Sequence, residues 1–221
     1  MNIVAILAAG NSSRMKMDIP KQFALIDGEQ TVLELCISKF QENKHIDKII
    51  VVIQKKYLKE VETQYQPKFS KFTAVIEGGE QRFHSSLNAI TFAAANFTDE
   101  DNLWLHDAAR PFVSNDLIDA ISDELLTKPS VVPVLPLRDS IYEISDQNEV
   151  LDIPNRECFV AAQTPQAARL SVWKKIINAL DCMSIKNFTD DMSMLFYSTN
   201  TKIFTIKGTP ENRKITFSGD M

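Results

Sequence analysis

The chain has 221 residues, of which 44% are hydrophobic and 24% are charged, and its formal net charge at pH 7 is −5. This composition predicts a globular protein with a sizeable core, and no apolar run approaches the ~20 residues that a membrane-spanning helix needs. The acidic balance argues against nucleic acid as a partner, so any phosphate group must be bound by a local cluster of cations.

The cysteines and the first residues favour a cytoplasmic location. Cys36, Cys158 and Cys182 form no CxxC pair, and no basic segment followed by an apolar one opens the chain. We therefore expect reduced thiols, no zinc site, no secretion signal and no membrane partner.

Strand-like and helix-like segments alternate through the first two-thirds of the chain. Buried strands are predicted near residues 3–7, 48–54, 73–77, 102–106 and 130–134. Helices are predicted near residues 31–43, 56–64, 85–95 and 116–126, and later near 171–180 and from Thr189 onward, before a last strand at 202–206. This order predicts an α/β fold, with a mostly parallel sheet flanked by helices.

The first strand runs into Ala8-Ala9-Gly10, and Arg14 and Lys21 follow. Ligands of open α/β sheets bind outside the carboxyl ends of the strands, and small residues there let a ligand approach the backbone. Two cations brought together by a turn at Pro20 suit the triphosphate of a nucleotide. The glycine spacing of a dinucleotide-binding fingerprint is absent, as is a Walker loop. The alternative is that Arg14 and Lys21 are solvated loop cations.

Gly78-Gly79 follows the third strand, and Ser85 and Ser86 stand where we expect the next helix to begin. Free N–H groups and the positive end of the helix dipole favour an anion, or the polar edge of a base, at such a place. The alternative is a simple tight turn with Ser85 as the helix N-cap.

The segment from His106 to Pro111 follows the strand at 102–106, at the same edge of the sheet as the opening loop. There Asp107 can hold Mg²⁺, which bridges phosphate oxygens, and Arg110 can hold a phosphate bidentately. His106 is better explained as a packed, hydrogen-bonded side chain than as a general base, because an ionised phosphate nucleophile needs no base.

Residues 138–163 show no helical pattern, and two strand-like runs are predicted at 140–144 and 158–162. An excursion of this kind is either a covering flap or an arm that pairs with a second subunit. Further along, Asp190-Asp191 is either a second metal site or a pair of carboxylates that stabilise a helix start. Lys214 adds a cation near the end of the sequence.

Six motifs occur in one order over nearly the whole chain. They are Ile6-Leu7-Ala8-Ala9-Gly10 with Arg14-Met15 and Pro20-Lys21-Gln22-Phe23; Gly78-Gly79 with Arg82 and Ser85; His106-Asp107-Ala108-Ala109-Arg110-Pro111; Gln163-Thr164-Pro165-Gln166; Thr189-Asp190-Asp191; and Asn212-Arg213-Lys214-Ile215-Thr216. Together they resemble the 2-C-methyl-D-erythritol 4-phosphate cytidylyltransferase family of the non-mevalonate isoprenoid pathway. The resemblance implies a Rossmann-like fold in one nucleotidyltransferase domain spanning 1–221. It also implies that the excursion at 138–163 is a β-arm exchanged within a homodimer.

The resemblance further implies a division of labour in the site. The substrates would be CTP and a small polyol phosphate, with Mg²⁺ or another divalent cation as cofactor. Arg14 and Lys21 would be catalytic, and Asp107 would bind the metal. Nucleotide contacts would come from Ala8, Ala9, Gly10, Gly79, Glu80, Ser85, Thr164 and Lys214. Acceptor contacts would come from Asp107, Arg110, Ser140, Arg156 and Thr189, with Arg156 reaching the partner's site.

Two other functions remain open at this point. The first is a ribitol-5-phosphate or other pentitol-phosphate cytidylyltransferase, since those enzymes share most of the motifs. The second is a nucleotide-binding regulator without turnover. Ser12, Glu80 and Ser140 depart from the family pattern but keep small size or polarity, so we expect altered affinity rather than lost activity.

Overall fold

The computed structural model describes residues 1–10, 19–26, 28–179, 188–216 and 220. The predictions that concern Ser12, Arg14 and Cys182 lie outside the described residues.

The described helices and strands follow the predicted alternation. The helices are α1 (Val32–Glu42), α2 (Leu58–Tyr65), α3 (Arg82–Asn96), α4 (Asn115–Leu125), α5 (Leu170–Ala179) and α6 (Asp191–Thr199). The strands are β1 (Asn2–Leu7), β2 (Leu25–Ile26), β3 (Gln30–Thr31), β4 (Lys48–Ile53), β5 (Phe72–Glu77), β6 (Asn102–Asp107), β7 (Ser130–Pro136), β8 (Glu143–Ile144), β9 (Val150–Asp152), β10 (Val160–Ala162), β11 (Gln166–Arg169) and β12 (Phe204–Lys207).

A mixed sheet forms the centre of the molecule. Within the described residues it has eight strands: it runs β5-β4-β1-β6-β11-β7, and β7 also pairs with β10 and β12. β1 is parallel to β4 and β6, β4 to β5, and β12 to β7, whereas β10 and β11 are antiparallel to their neighbours. The predicted α/β fold with a mostly parallel sheet is confirmed.

The two faces of the sheet are covered by different helices. On one face, Val4 of β1 belongs to a core cluster with Phe40 of α1 and Ile118 of α4. On the other face, Ile3 belongs to a cluster with Trp173 of α5. Alternate residues of β1 therefore serve opposite faces, as the period of a strand requires, and both faces are apolar because both are covered.

Two helix starts show how local sequence sets the bounds. Thr31 caps α1 as predicted, and its side chain accepts a hydrogen bond from the Glu34 N–H at 3.0 Å. The helix predicted to begin near residue 85 begins earlier, at Arg82, with Gln81 at the N-cap position, so the alternative in which Ser85 is the N-cap is wrong. Ser85 is therefore inside the helix, where its side chain is free to face the preceding loop.

One strand of the sheet was absent from the sequence-based expectations. β11 consists of Gln166, two alanines and Arg169, a run without the branched or aromatic residues that mark strands. It lies between β6 and β7 because it pairs with both. Its partners, rather than its own composition, determine its conformation.

Most of the excursion at 138–163 stands apart from the core, and only its end, β10, pairs with β7 of the central sheet. β8 and β9 form a separate hairpin, and the apolar side chains of Tyr142, Ile144, Leu151 and Ile153 are each more than half exposed. The predicted strands at 140–144 and 158–162 are shorter than expected, since β8 and β10 are the only parts of them that find a partner strand in the described chain. Among the described residues, no helix is long and apolar enough to cross a membrane.

Candidate active site

A cavity of about 270 Å³ opens where the carboxyl ends of β1 and β6 meet the loop that follows β5. This is the edge at which ligands of open α/β sheets bind. Its walls contain these residues that were predicted from the sequence: Ala8, Ala9, Gly10, Lys21, Gly79, Glu80, Ser85, Asp107 and Lys214. The structure therefore brings together the opening loop, the Gly78-Gly79 turn and the end of the chain.

Small residues shape one wall of this first cavity. A Cβ atom added to Gly78 would lie 2.3 Å from the Cβ of Ala9, so glycine is required for the two loops to pack together. The Gly79 N–H donates to the Ser85 Oγ at 3.1 Å, which fixes the loop against the first turn of α3. The wall is thus held in place before a ligand arrives.

Four charged side chains form a cluster at the inner end of the cavity: Arg82, Asp107, Asp191 and Lys214. The Arg82 Nε donates to the Asp107 Oδ1 at 2.8 Å, and the Lys214 Nζ donates to the Asp107 Oδ2 at 2.6 Å. Arg82 also binds Asp191 with two parallel hydrogen bonds, Nη1 to Oδ1 at 2.9 Å and Nη2 to Oδ2 at 2.8 Å. We call these four residues the charge cluster; its formal charges sum to zero.

The protonation states in the cluster follow from this pairing. Burial by itself would raise the pKa of Asp107, but the positive charges of Arg82 and Lys214 hold that pKa well below its ordinary value. Burial would likewise lower the pKa of Arg82, and the two carboxylates raise it instead. Asp107 is therefore ionised and Arg82 is charged across the physiological pH range.

A second, smaller cavity lies on the other side of the charge cluster. It is lined by Arg82, Asp107, Arg110, Ala162, Gln163, Thr164, Gln166, Thr189, Asp190 and Lys214. Three of these, Arg82, Asp107 and Lys214, also line the first cavity, so these three members of the charge cluster form a shared wall. The predicted acceptor residues Asp107, Arg110 and Thr189 meet in this second cavity. Thr164, which the resemblance assigns to the nucleotide, lies here too and not in the first cavity.

Arg110 differs from Arg82 in how its donors are used. Its Nη1 donates to the Asn212 carbonyl at 2.7 Å, while its Nε is buried and has no hydrogen-bond partner among the described residues. Burial lowers the pKa of Arg110. An anion in the second cavity would satisfy this guanidinium.

His106 is fully buried behind the site. Its Nε2 lies 3.0 Å from the Arg110 carbonyl, which can only accept, so Nε2 carries the proton. Its Nδ1 lies 3.1 Å from the Thr164 Oγ1, which in turn accepts from the Asp107 N–H at 3.1 Å. Burial lowers the pKa of His106 to about 4. This is the packed, neutral histidine that the sequence favoured over a general base.

Residues 208–216, which we call the last described segment, place Lys214 in the site. The Gln163 side chain donates to the Thr209 carbonyl at 2.9 Å and accepts from the Thr209 N–H at 3.2 Å. The Asn212 side chain donates to the Thr164 carbonyl at 2.8 Å. Gly208 is needed here, since an added Cβ would lie 2.4 Å from the Gln163 Oε1.

Lys21 reaches the same segment from the other side. Its Nζ donates to the Ile215 carbonyl at 2.6 Å. Lys21 and Lys214 therefore lie close together at the wall of the first cavity.

The two predicted acceptor residues of the arm are placed elsewhere. Ser140 and Arg156 are exposed and line neither of the two cavities that the described residues form. The Arg156 Nη1 donates to the Arg138 carbonyl at 2.6 Å, within the excursion. Within one chain these residues are not part of the site.

A resident metal centre is not visible in the arrangement of side chains. In the described part of the chain, no three histidine, cysteine or acidic side chains are grouped as metal ligands. The Asp190-Asp191 pair, considered as a second metal site, is divided: Asp190 caps α6, and Asp191 binds Arg82. Both oxygens of Asp107 are bound to cationic side chains.

Sequence reasoning missed the pairing of Arg82 with Asp191. The two residues are 109 positions apart. Each lies in a motif that the sequence singled out, but a partly buried arginine needs carboxylate partners, and only the fold shows which carboxylates are near.

Comparison with known proteins gives the following matches. The sequence model of the family described as 2-C-methyl-D-erythritol 4-phosphate cytidylyltransferase matches residues 2–221. A protein of that name from Thermosipho melanesiensis is 33% identical over 221 residues, covering 100% of this chain and 95% of the relative. The bifunctional ribulose 5-phosphate reductase/CDP-ribitol pyrophosphorylase Bcs1 of Haemophilus influenzae is 33% identical over 222 residues, covering 100% of this chain and 46% of the relative. The crystal structure of 4-diphosphocytidyl-2C-methyl-D-erythritol synthase from Anaerococcus prevotii superposes on this chain with a TM-score of 0.81 and shows the same fold. The two sequences are 24% identical, and the match covers 99% of this chain and 92% of that chain.

Proposed function

Because this chain belongs to the 2-C-methyl-D-erythritol 4-phosphate cytidylyltransferase family, we propose that it transfers the CMP moiety of CTP to 2-C-methyl-D-erythritol 4-phosphate, in the non-mevalonate isoprenoid pathway. An oxygen of the acceptor phosphate attacks the α-phosphorus, and the bond from that phosphorus to the bridging oxygen of the β-phosphate breaks. The products are pyrophosphate and the CDP-linked polyol.

The observation that carries this proposal is the pair of cavities that share one wall, formed by Arg82, Asp107 and Lys214. Transfer between two phosphates requires that both be held against each other, because most of the rate gain comes from positioning and charge stabilisation. The first cavity would hold CTP and the second would hold the acceptor, with Lys214 and Arg82 between them.

Each residue's role follows from its place. The backbone near Ala8 and Gly79 would admit the nucleotide closely, since no large side chain stands there. Lys21 and Lys214 would neutralise the charge that builds on the triphosphate as pyrophosphate leaves. Arg110 would bind the acceptor phosphate through its guanidinium, because this residue lines the second cavity.

The residues present fit a divalent cation that arrives on the triphosphate. Mg²⁺ keeps several waters and substrate phosphates as ligands, so one carboxylate is enough. Asp107 is the side chain that would hold it, in exchange for one of its present ion pairs. When bound, Mg²⁺ neutralises phosphate charge. Dependence on Mg²⁺ stays a proposal, as does the cytoplasmic location.

We also propose that the whole chain, 1–221, is one nucleotidyltransferase domain that forms a homodimer through the β-arm at 138–163. The exposed apolar side chains of the arm support this, since an apolar surface of that kind marks an interaction site. In the dimer, Ser140 and Arg156 would reach the acceptor cavity of the partner subunit. We expect sedimentation to give a dimer, and the Leu151→Glu variant to give a monomer. A monomer for the unmodified protein would contradict this arrangement.

A pentitol phosphate is the second candidate acceptor. The reason is specific: the CDP-ribitol pyrophosphorylase of Haemophilus influenzae is as similar to this chain as the relative from Thermosipho melanesiensis. The deciding experiment measures pyrophosphate release with CTP and either 2-C-methyl-D-erythritol 4-phosphate or ribitol 5-phosphate. We expect the higher kcat/KM with the first, and a higher value with the second would overturn our assignment. CTP binding in calorimetry without product from either acceptor would instead support a regulator without turnover.

A further inference from the structure

We propose that Arg82 and Asp191 act as one positioning unit, which sets the distance between the nucleotide cavity and the acceptor cavity. The inference rests on the proposed transfer between the two cavities. It assigns a task other than substrate binding to Arg82, which lines both cavities, and to Asp191, which lines neither.

Arg82 and Asp191 lie next to loops that line different cavities. Arg82 is the first residue of α3, directly after the loop of Gly79 to Gln81 that lines the first cavity. Asp191 is the first residue of α6, directly after Thr189 and Asp190, which line the second cavity. The ion pair between them therefore joins a wall of one cavity to a wall of the other.

The second step is the geometry of the contact. The two hydrogen bonds from Arg82 to Asp191 are parallel, at 2.8 and 2.9 Å, a fork arrangement that fixes orientation as well as distance. Asp191 is only 1% exposed, and its Oδ1 also accepts from the Ser86 Oγ at 2.5 Å. A buried carboxylate held by three donors cannot move without losing several bonds at once.

Arg82 directs most of its guanidinium donors at protein carboxylates, and its side chain is 31% exposed. Its Nε and Nη2 both lie 2.8 Å from the Asp107 Oδ1, in addition to the two bonds to Asp191. A guanidinium whose charge is compensated by two carboxylates is a poor phosphate ligand, in contrast to Arg110. Arg82 is therefore suited to hold Asp107 and α6 in place, rather than to bind the triphosphate.

The consequence for turnover is specific. Removing the pair leaves the nucleotide cavity formed, because its glycine and alanine wall does not depend on Asp191. It lets α6 and the side chain of Asp107 shift relative to that wall, and a misplacement of about 1 Å between reacting groups can cost about 100-fold in rate. The loss should thus appear in kcat and not in the KM for CTP.

The test is a double-mutant cycle on the full chain with Arg82→Gln, Asp191→Asn and the double variant. We expect each single variant to lower kcat about 100-fold and to change the KM for CTP less than about threefold. The melting temperature of each variant is measured to check that it is folded. Because Asp191 acts through Arg82, the double variant should be no slower than the Arg82→Gln variant. Asp99→Asn is the matched control, since it removes an exposed carboxylate that is paired with Lys174.

The Arg82→Lys variant keeps the positive charge but cannot bind both carboxylates. It replaces Arg82→Gln in the cycle if the Arg82→Gln variant does not fold. We expect it to be as slow as the other variants. Full activity of the Arg82→Lys variant would overturn the inference. So would a loss of kcat in the double variant that equals the product of the two single losses, or an effect of the variants that is confined to the KM for CTP. Absence of turnover in the unmodified protein would overturn the proposed function instead, so the two failures are distinct.

Discussion

At the scale of single residues, the site uses two arginines in opposite ways. Arg82 has its donors bound to carboxylates, whereas Arg110 has a buried Nε without a partner among the described residues. A buried donor without a partner costs about 1–3 kcal/mol, so a ligand that satisfies it gains binding energy.

Replacing Arg110 tests which substrate benefits from it. We expect Arg110→Gln to raise the KM for the acceptor about 10- to 100-fold, which corresponds to the ~1.5–3 kcal/mol of a hydrogen bond to a charged group, with the KM for CTP unchanged. Arg110→Lys should restore only part of this, because a lysine cannot bind bidentately. The control is Arg213→Gln, an exposed arginine that stacks on Phe112. Steady-state kinetics with each substrate varied in turn measures both KM values. A rise in the KM for CTP alone would contradict the assignment of Arg110 to the acceptor.

Lys21 is the second residue whose role can be measured directly. We expect Lys21→Ala to lower kcat by about 100-fold, or ~3 kcal/mol of transition-state stabilisation, with little change in either KM. The reason is that the charge on the leaving pyrophosphate grows only as the bond breaks. Lys44→Ala, which removes an exposed lysine far from the cavity, is the control. A variant with normal kcat would exclude the catalytic role.

Much of the site at this scale was predictable from the sequence. The small residues after β1 and Asp107 at the end of β6 line the first cavity because strand ends of a parallel sheet converge at one edge, and Lys21 and Lys214 line it too. The partners of Asp107 were not predictable. Which cations surround a carboxylate depends on elements that the sequence does not bring together, as with Lys214, 107 residues further along the chain.

At the scale of elements, the last described segment acts as a support for Lys214. It is joined to the loop between β10 and β11 by the side chains of Gln163 and Asn212. Its place in the site follows from those bonds rather than from its own secondary structure, which is irregular from 208 to 216.

Gly208→Ala tests this support without touching a charged group. The new Cβ would push against the Gln163 Oε1, so the bond from the Thr209 N–H would be lost and Lys214 would be displaced. We expect kcat/KM for CTP to fall about 10-fold, in line with about 1 kcal/mol for one hydrogen bond and the misplacement of one charge. The control is Thr205→Ala, at an exposed position of β12, which should leave kcat/KM for CTP unchanged. Unaltered kinetics of the glycine variant would show that Lys214 does not need this support.

The elements also show where pattern reading fails. Pattern reading was sufficient for β1 and β4, which are continuous apolar runs, and for α1, whose apolar residues repeat at the helical period. It missed the true start of α3, because Arg82 looks like a loop residue until its carboxylate partners are known. It missed β11, because a run of alanines has no strand signal and is placed by its two neighbours.

At the scale of the whole molecule, function and stability occupy opposite edges of the sheet. The carboxyl ends of β1 and β6 carry the site. The amino ends carry Asp101, which is 5% exposed and accepts from the Met1 ammonium at 2.7 Å and from the Thr98 N–H and Oγ1, each at 2.9 Å. Burial would raise the pKa of Asp101, but these donors lower it below its ordinary value.

This separation predicts a pH-dependent loss of stability that spares activity. A carboxyl whose pKa is lower in the folded state stabilises the fold above its unfolded pKa, about 3.9, and this contribution is lost as the pH falls below that value. We expect Asp101→Asn to lower the free energy of unfolding at pH 7 by about 2 kcal/mol. The difference from the unmodified protein should shrink toward pH 3, while kcat at pH 7 stays unchanged.

Urea unfolding at several pH values measures the effect, with the neighbouring Asp99→Asn as the control for a lost surface charge. A stability difference that is independent of pH would show that the ionised carboxylate of Asp101 is not what stabilises this edge.

The position of β11 has a consequence for how the protein is made. β6 and β7 lie on either side of β11, so the centre of the sheet has a gap until residues 166–169 have left the ribosome. Up to that point the nascent chain carries the apolar strands at 102–107 and 130–136 with unpaired edges, which are open to wrong partners. Synthesis must therefore pass three-quarters of the sequence before the fold can close, and substitutions in β11 that slow its insertion should lower the soluble yield more than they lower the activity of the protein that does fold.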